Sequence, residues 1–147
     1  MIKKTAISLL VLMFFSSCAY TQKQSAIDPD APLYERLGGK QAIFAVAERM
    51  TEYVARDERI NGFFVGADLD RVNEMLTEQI CEASGGPCTY TGGDMITVHT
   101  GMNITETQFN ALVEDLIRSL NDFRVPEREQ QELLQLLGSM KEEIVDR

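Results

Sequence analysis

Histidine, tryptophan and basic residues are scarce in this 147-residue chain, which has one histidine and no tryptophan. The single histidine, His99, excludes a bare-ion site built from several imidazoles, because zinc and copper need more protein ligands than one ring supplies. Fourteen lysines and arginines stand against 23 acidic residues, which gives a formal net charge of −9. An acidic chain of this kind is not expected to bind nucleic acid or anionic membrane surfaces.

The chain has no hydrophobic run long enough to span a bilayer comfortably. Its longest apolar run lies near the start of the sequence. Two lysines precede the apolar run 6–15, which is too short to span a bilayer comfortably. Two serines and Cys18 follow it, and this order predicts an export signal over residues 1–17. Small residues before a cysteine also resemble a bacterial lipoprotein signal, so we predict lipidation of Cys18. A cleaved signal that leaves a soluble periplasmic protein is the alternative.

The rest of the chain divides into a tether and one domain. Residues 18–32 are polar, flanked by proline and without periodicity, which predicts a flexible tether. Residues 33–147 are long enough for one sizeable core. Ala19 follows Cys18, and no acidic residue is there to mark retention in the inner membrane. We therefore expect attachment through the lipid alone, at the periplasmic face of the outer membrane.

Besides Cys18, the chain has two cysteines, Cys81 and Cys88, which lie seven residues apart across a Gly-Gly-Pro turn. An exported protein meets an oxidising compartment, so we predict a disulfide between them. Two free thiols are the alternative. Two cysteines alone do not indicate a zinc site, which needs more ligands.

The hydrophobic periodicity predicts an all-α domain without strands. Asp68 is a suitable helix N-cap, and Thr105 with Gln108 reads as a capping box that opens a further helix. Between them, about 20 residues from 85 to 103 hold several glycines and only a short helical turn. Such a segment must pack either on a neighbouring helix or on a flat apolar cofactor. The predicted helices cover 33–37, 40–56, 69–81, a segment after Thr105 up to residue 120, and one last helix from 127 to 144.

His99 lies on that short turn, between glycines and among apolar neighbours. A neutral imidazole binds iron well, and haem needs only one such protein ligand because the porphyrin supplies the equatorial ones. The alternative is a histidine that is hydrogen-bonded at a helix end or exposed on the surface.

From residue 33 to about residue 145, the chain resembles the truncated bacterial haemoglobins, most of all their first group. The landmarks occur in order and are together quite specific. They are LYERLGG at 33–39, Phe63-Phe64, Gly85-Gly86-Pro87, Tyr90-Thr91-Gly92, Met95, Val98-His99, Gly101 and Ile104-Thr105. The resemblance implies a two-over-two helical sandwich around haem b, with His99 as the proximal iron ligand.

The resemblance also implies which side chains touch the cofactor. Phe64 would stack on the haem face, while Phe109 and Leu112 would touch the porphyrin edge. The helices over 69–81 and 40–56 would wall the distal side, and the helices after Thr105 would support the proximal side. The remaining expected contacts are Val72, Met75, Leu76, Met95, Val98 and Ile104.

The distal pocket departs from the family pattern. Thr51 stands where a tyrosine is usual, and Leu76 stands where a glutamine is frequent. We expect Thr51, Val72 and Leu76 to line the ligand pocket, with Thr51 as its main polar group. Few hydrogen-bond donors predict weak retention of oxygen and unimpaired binding of carbon monoxide or nitric oxide. The alternative is that Met75, or less readily Met50, becomes a sixth iron ligand.

Three functions follow from these observations. The first is a haem protein that reversibly binds oxygen or another diatomic gas in the periplasm. The second is a haem enzyme that removes nitric oxide or peroxide; it would need a separate reductase, because the chain has no flavin or nicotinamide fingerprint. The third is a haem-free helical lipoprotein that serves as an interaction module.

Overall fold

The computed structural model describes residues 28–147, which form α-helices and one 3₁₀ helix but no strand. This confirms the all-α class. The predicted signal 1–17, Cys18 and the tether up to residue 27 lie outside the described residues. The helices are α1 (Leu33–Arg36), α2 (Gly39–Val54), the 3₁₀ helix (Asn61–Phe64), α3 (Leu69–Ala83), α4 (Met95–His99), α5 (Glu106–Asp122), α6 (Glu127–Gly138) and α7 (Lys141–Ile144). In this part of the chain, no helix has the length and apolar character needed to cross a membrane.

The core forms where α2 packs against both α3 and α5. Helix α2 can serve both neighbours because its apolar residues recur every three to four positions and give one wide buried stripe. Ser119 on α5 donates a buried hydrogen bond from its hydroxyl to the Val46 carbonyl at 2.7 Å, which fixes the α2–α5 contact. The buried core residues include Ile43, Val46, Met50, Val54, Ile80, Cys81, Ala111, Leu116, Leu120 and Leu133.

Two predicted helix starts are confirmed by their caps. The Asp68 carboxylate accepts from the Arg71 backbone N–H at 3.1 Å and opens α3. At α5, the Thr105 hydroxyl accepts from the Gln108 N–H, while the Gln108 side chain accepts from the Thr105 N–H. Both caps satisfy backbone donors that have no partner inside the helix, and only the cap of α5 is reciprocal.

A buried ion pair joins the first turn of the domain to α6. The Arg36 guanidinium has only 7% of its side-chain surface exposed; it donates to Glu129 at 2.6 Å and is also paired with Glu132. Removing one partner of a buried pair leaves an uncompensated charge, which is costly. The pair therefore fastens α1 onto α6.

The prediction of one continuous last helix is wrong. Helix α6 ends at Gly138, and a separate short helix, α7, follows after Ser139 and Met140. Glycine has low helix propensity, and the Ser139 hydroxyl donates to the Leu136 carbonyl at 2.7 Å, which competes with the helical bonding pattern. The break lets α7 turn and pack against α4.

Candidate functional site

A cavity of about 400 Å³ lies between α3 and the segment that carries α4, with the start of α5 and the 3₁₀ helix on its flanks. Most of its lining is aliphatic, aromatic or thioether. The polar lining residues are few. The cavity is lined by Met50, Ile60, Phe63, Phe64, Ala67, Arg71, Val72, Met75, Leu76, Gln79, Tyr90, Gly92, Gly93, Met95, Val98, His99, Met102, Ile104, Gln108, Phe109, Leu112 and Ile144.

His99 is half-buried at the end of α4 and lines this cavity. Its Nδ1 lies 2.8 Å from the Met95 carbonyl oxygen, one helical turn earlier. A carbonyl oxygen can only accept, so Nδ1 carries the proton and Nε2 keeps its lone pair. The backbone thus selects the tautomer in which Nε2 is free to bind a metal, as carbonyl partners of metal-bound histidines commonly do.

Local sequence explains how α4 is held. Asp94 caps the helix: its carboxylate accepts from the Thr97 N–H at 2.9 Å and from the Thr97 hydroxyl at 2.6 Å. These two bonds stabilise the ionised form and lower the pKa of Asp94. After α4, the chain turns away at Gly101, whose φ of 86° is a conformation that glycine adopts without strain.

The C-terminal residues fasten the segment that follows His99. The Asn103 N–H donates to the Arg147 carbonyl at 2.7 Å, and the Asp146 N–H donates to the Ile104 carbonyl at 2.9 Å. Together with the packing of α7 on α4, these bonds close the cavity on the His99 side.

The opposite wall is α3, which faces the cavity with one stripe and the core with the other. Val72, Met75, Leu76 and Gln79 recur every three or four residues and line the cavity. The other face buries Asn73, Thr77, Ile80 and Cys81 against the core.

The end of α3 is linked to the loop that leads to Tyr90. Cys81 and Cys88 form a disulfide in the structure, with Cα atoms 5.8 Å apart. Gly86 lies inside this bridge, where an added Cβ would come within 2.7 Å of the Cys81 carbonyl oxygen, so only glycine fits without displacement. That the bridge forms in the exported protein stays a prediction.

The sequence-derived cofactor contacts meet at this one cavity. His99 lies on the α4 side with three of them, two more come from α5, and the others come from α3 and the 3₁₀ helix. All nine of these contacts line the cavity with His99: Phe64, Val72, Met75, Leu76, Met95, Val98, Ile104, Phe109 and Leu112.

Thr51 is not brought together with Val72 and Leu76. It is buried, and its hydroxyl lies 2.9 Å from the Glu48 carbonyl oxygen and 3.0 Å from Asn73 Oδ1. Thr51 lines a second, smaller cavity of about 250 Å³ instead, and Phe64 borders both cavities. Neighbouring residues of a helix point about 100° apart, so it is Met50 that reaches the main cavity from α2.

Two of the polar lining residues that the sequence reasoning missed, Arg71 and Gln79, belong to the α3 wall. Both lie on α3 near the spacing of the predicted contacts: Arg71 directly precedes Val72, and Gln79 follows Leu76 by three residues. The helical spacing from Leu76 was therefore a usable signal for Gln79.

The residues present fit a haem. The cavity is apolar, a half-buried imidazole lines it with Nε2 free, and aromatic rings at Phe63, Phe64 and Phe109 flank it. Arg71, with 54% of its side-chain surface exposed, supplies a cation suited to a carboxylate. Within residues 28–147, no group of three or more histidine, cysteine, aspartate or glutamate side chains could hold a bare metal ion.

A small all-α fold that encloses an apolar cavity beside one available imidazole defines a protein of the globin class. The model of the bacterial-like globins matches residues 32–146, and the chain belongs to this family. A group 1 truncated haemoglobin of Mycolicibacterium paratuberculosis is 34% identical over 114 residues, which cover 78% of this chain and 84% of the relative.

Solved structures agree with the family and with the predicted two-over-two architecture. The ferric truncated haemoglobin from Tetrahymena pyriformis matches with a TM-score of 0.75 and 29% sequence identity. The match covers 78% of this chain and 98% of the other. The two-over-two haemoglobin from Synechococcus, solved in the cyanomet state with covalently attached haem, has a TM-score of 0.73 and 28% identity. That match covers 80% of this chain and 100% of the other.

Proposed function

We propose that this chain is a haem-binding truncated globin that reversibly binds a diatomic gas, with His99 as the protein ligand to the iron of haem b. The observation that carries the proposal is the state of the imidazole. Its Nδ1 proton is committed to the Met95 carbonyl at 2.8 Å, which leaves Nε2 free beside an apolar cavity.

Each wall of the cavity has a distinct part in holding the cofactor. Phe64 and the α3 stripe would pack on one face of the ring, and Val98, Ile104, Phe109 and Leu112 would surround the other face and its edge. Arg71, at the exposed end of α3, would pair with a propionate carboxylate. When bound, haem supplies an iron atom that takes up diatomic gases.

The lining favours gas binding over proton-dependent chemistry. Val72, Met75 and Leu76 exclude water from the α3 side, and none of their side chains can donate or transfer a proton. Oxygen, carbon monoxide and nitric oxide are all candidate ligands. Thr51 lies behind the wall with its hydroxyl already engaged, so it supports none of them directly.

Haem titration tests the proposal. Purified protein without haem should take up haem to an endpoint of one per chain, with a Soret band distinct from that of free haem. After reduction, carbon monoxide should shift this band. A spectrum that stays that of free haem, or a titration without an endpoint, would contradict the proposal.

We further propose that the globin domain of residues 33–147 is exported and held in the periplasm. The support is the amino-terminal sequence: a basic start, an apolar run, and Cys18 before a polar tether over 18–32. Lipid on Cys18 would anchor the protein to the outer membrane. In fractionated cells, Cys18→Ser should move the protein from the membrane to the soluble periplasmic fraction. Unchanged membrane association of the variant would contradict the lipid anchor.

A further inference from the structure

The methionines of the domain gather around the cavity. Residues 28–147 contain five of them, and four line the cavity: Met50, Met75, Met95 and Met102. The fifth, Met140, has its sulfur close to the side chain of a lining residue of α3. Mild oxidants convert a thioether, which is apolar, into a polar sulfoxide. The lining of this cavity can therefore be modified chemically at its methionines.

Two of these sulfurs share one hydrogen-bond donor. The Nε2 of Gln79 lies 3.3 Å from the Met95 sulfur and 3.3 Å from the Met140 sulfur. An amide nitrogen carries two protons, and thioether sulfur is a weak acceptor, so these contacts satisfy the protons poorly. A sulfoxide oxygen is a better acceptor than the sulfur that carries it. Oxidation of Met95 therefore places a new acceptor beside a donor that is already in position.

Met75 and Met50 lack either the donor or the access. The Met75 sulfur is 3.9 Å from the Thr91 hydroxyl, but that hydroxyl has one proton and donates it to Glu78 at 2.8 Å. Met50 is only 5% exposed, so an oxidant reaches its sulfur poorly. A buried polar atom without a hydrogen bond is costly, so the fold tolerates a sulfoxide better at Met95 than at either of these positions.

Met95 also belongs to the wall that carries His99. It is the first residue of α4, it is half-buried, and its carbonyl accepts the Nδ1 proton of His99. No residue of α4 is buried, so little packing compensates for a change in one of its side chains. A polar oxygen at Met95 would thus alter the cavity at the helix that positions the imidazole.

We propose that Met95 is a site of reversible oxidation, and that its sulfoxide lowers the affinity of the cavity for haem. Hydrogen peroxide transfers one oxygen atom to the Met95 sulfur: the O–O bond breaks, an S=O bond forms, and the other oxygen leaves as water. The sulfur is oxidised and the peroxide is reduced. The Gln79 amide then donates to the sulfoxide oxygen. Methionine sulfoxide reductases, supplied with a thiol reductant, restore the thioether.

The effect on haem rests on the proposed function, whereas the oxidation itself does not. The test treats haem-free wild-type protein with hydrogen peroxide, which is removed before haem is added. Peptide mass spectrometry should find an added oxygen at Met95 before one appears at Met50 or Met75. Competition with a haem-accepting protein should show an affinity lowered by about tenfold, because a polar group replaces an apolar contact. The two methionine sulfoxide reductases, one for each epimer, should restore the affinity.

Met95→Leu and Met102→Leu form the matched pair. Each removes one half-buried methionine that lines the cavity, but of these two sulfurs the Gln79 amide contacts only that of Met95. Peroxide should no longer change the haem affinity of Met95→Leu, while Met102→Leu should respond as the wild type does. Met95→Gln, which carries a permanent polar oxygen, should bind haem weakly without peroxide, and it keeps the test decisive if the leucine variant does not fold.

Gln79→Leu tests the part assigned to the amide. Peroxide should lower the thermal stability of this variant more than that of the wild type, because the Met95 sulfoxide then lacks its donor. The inference would be overturned by oxidation of Met50 or Met75 ahead of Met95, by unchanged haem affinity once Met95 is oxidised, or by an undiminished response in Met95→Leu. Failure of untreated protein to take up haem would instead remove the proposed function, and mass spectrometry would still report whether Met95 is oxidised.

Discussion

The two walls of the cavity are built very differently. Helix α3 has 15 residues and buries four of them, Asn73, Thr77, Ile80 and Cys81, against the core. Helix α4 has five residues and none of them is buried. The α3 wall is thus part of the hydrophobic core, whereas the α4 wall, which carries His99, contributes no buried residue to it.

This difference indicates which interactions stabilise the helix in each wall. A five-residue helix is not stable alone, because helix nucleation is costly and most helical stability in proteins comes from packing. The α4 segment has its Asp94 cap, the Met95–His99 contact and the bonds from the C-terminal residues. We therefore infer that α3 is formed before haem binds and that the α4 segment is completed by haem. The predictions below test this contrast.

The largest expected effect is at His99, the proposed iron ligand on the α4 wall. Loss of a residue that merely orients a metal ligand costs about 10- to 100-fold in affinity, so His99→Gly should weaken haem binding by more than about 100-fold. Competition with a haem-accepting protein measures this. Added imidazole should restore binding to His99→Gly, because it fills the space that the side chain leaves. Unchanged haem affinity of the variant would show that the α4 wall does not supply the ligand.

The second prediction concerns the α3 wall. The bridge between Cys81 and Cys88 closes a short loop, and its loss should lower the free energy of unfolding by about 2.5 kcal/mol. Denaturant unfolding of the doubly substituted Cys81→Ala, Cys88→Ala protein checks this value. Wild-type protein treated with a reducing agent is the matched control and should unfold at nearly the same denaturant concentration. If neither treatment moves the midpoint, the stability of α3 does not depend on the bridge.

The third prediction lies in the core, behind both walls. Asp115 on α5 is 6% exposed, and its Oδ2 has no hydrogen-bond partner among the described residues. Burial raises the pKa of this carboxyl, and the nearby charge of Asp57 adds to the effect. A carboxyl whose pKa is higher in the folded than in the unfolded state stabilises the fold fully below its unfolded pKa. That contribution is lost as the pH rises through the folded pKa.

Asp115→Asn should therefore raise the free energy of unfolding at pH 7 by about 1–2 kcal/mol, because it removes a buried, poorly paired charge. The gain should shrink as the pH falls toward about 4, where the aspartate of the unfolded chain is protonated. Unfolding curves from pH 4 to pH 7 measure both. A gain that is equally large at pH 4 would contradict the assigned cause.

The smallest effect is expected at Arg71, on the exposed rim of the α3 wall. Its guanidinium is 3.4 Å from the Glu74 carboxylate and half-exposed. Exposed ion pairs are worth less than about 1 kcal/mol, so Arg71→Leu should lower haem affinity by at most about fivefold. Haem whose propionates are esterified should bind wild-type and variant equally. A difference that persists with the esterified haem would mean that Arg71 acts through packing.

Much of the fold could be predicted from interactions between residues that are close in the sequence. The caps at Asp68 and Thr105 could be predicted because each partner lies only three residues further along the chain. The last helix was mispredicted because its apolar spacing continues across Gly138, whereas Gly138 and the Ser139 hydroxyl end α6 and the packing of α7 against α4 holds the chain in its new direction. Such tertiary contacts leave no trace in the periodicity of one segment.

The same limit applies to the candidate site. The nine expected contacts share a cavity because helical spacing fixes which residues lie on one face. Thr51 does not line it, because its hydroxyl finds Asn73, a buried partner 22 residues away, and because rotation of α2 places Met50 there instead. A family position gives the place of a residue along the chain but not the direction of its side chain.

Hydrogen exchange with and without haem tests the central contrast most directly. Amide protons from Met95 to Ile104 should gain protection when one equivalent of haem is added, while those in the middle of α3, from Asn73 to Cys81, should be protected in both states. Protection that is the same in both states from Met95 to Ile104, in protein whose absorption shows haem bound, would contradict the account that haem completes the His99 wall.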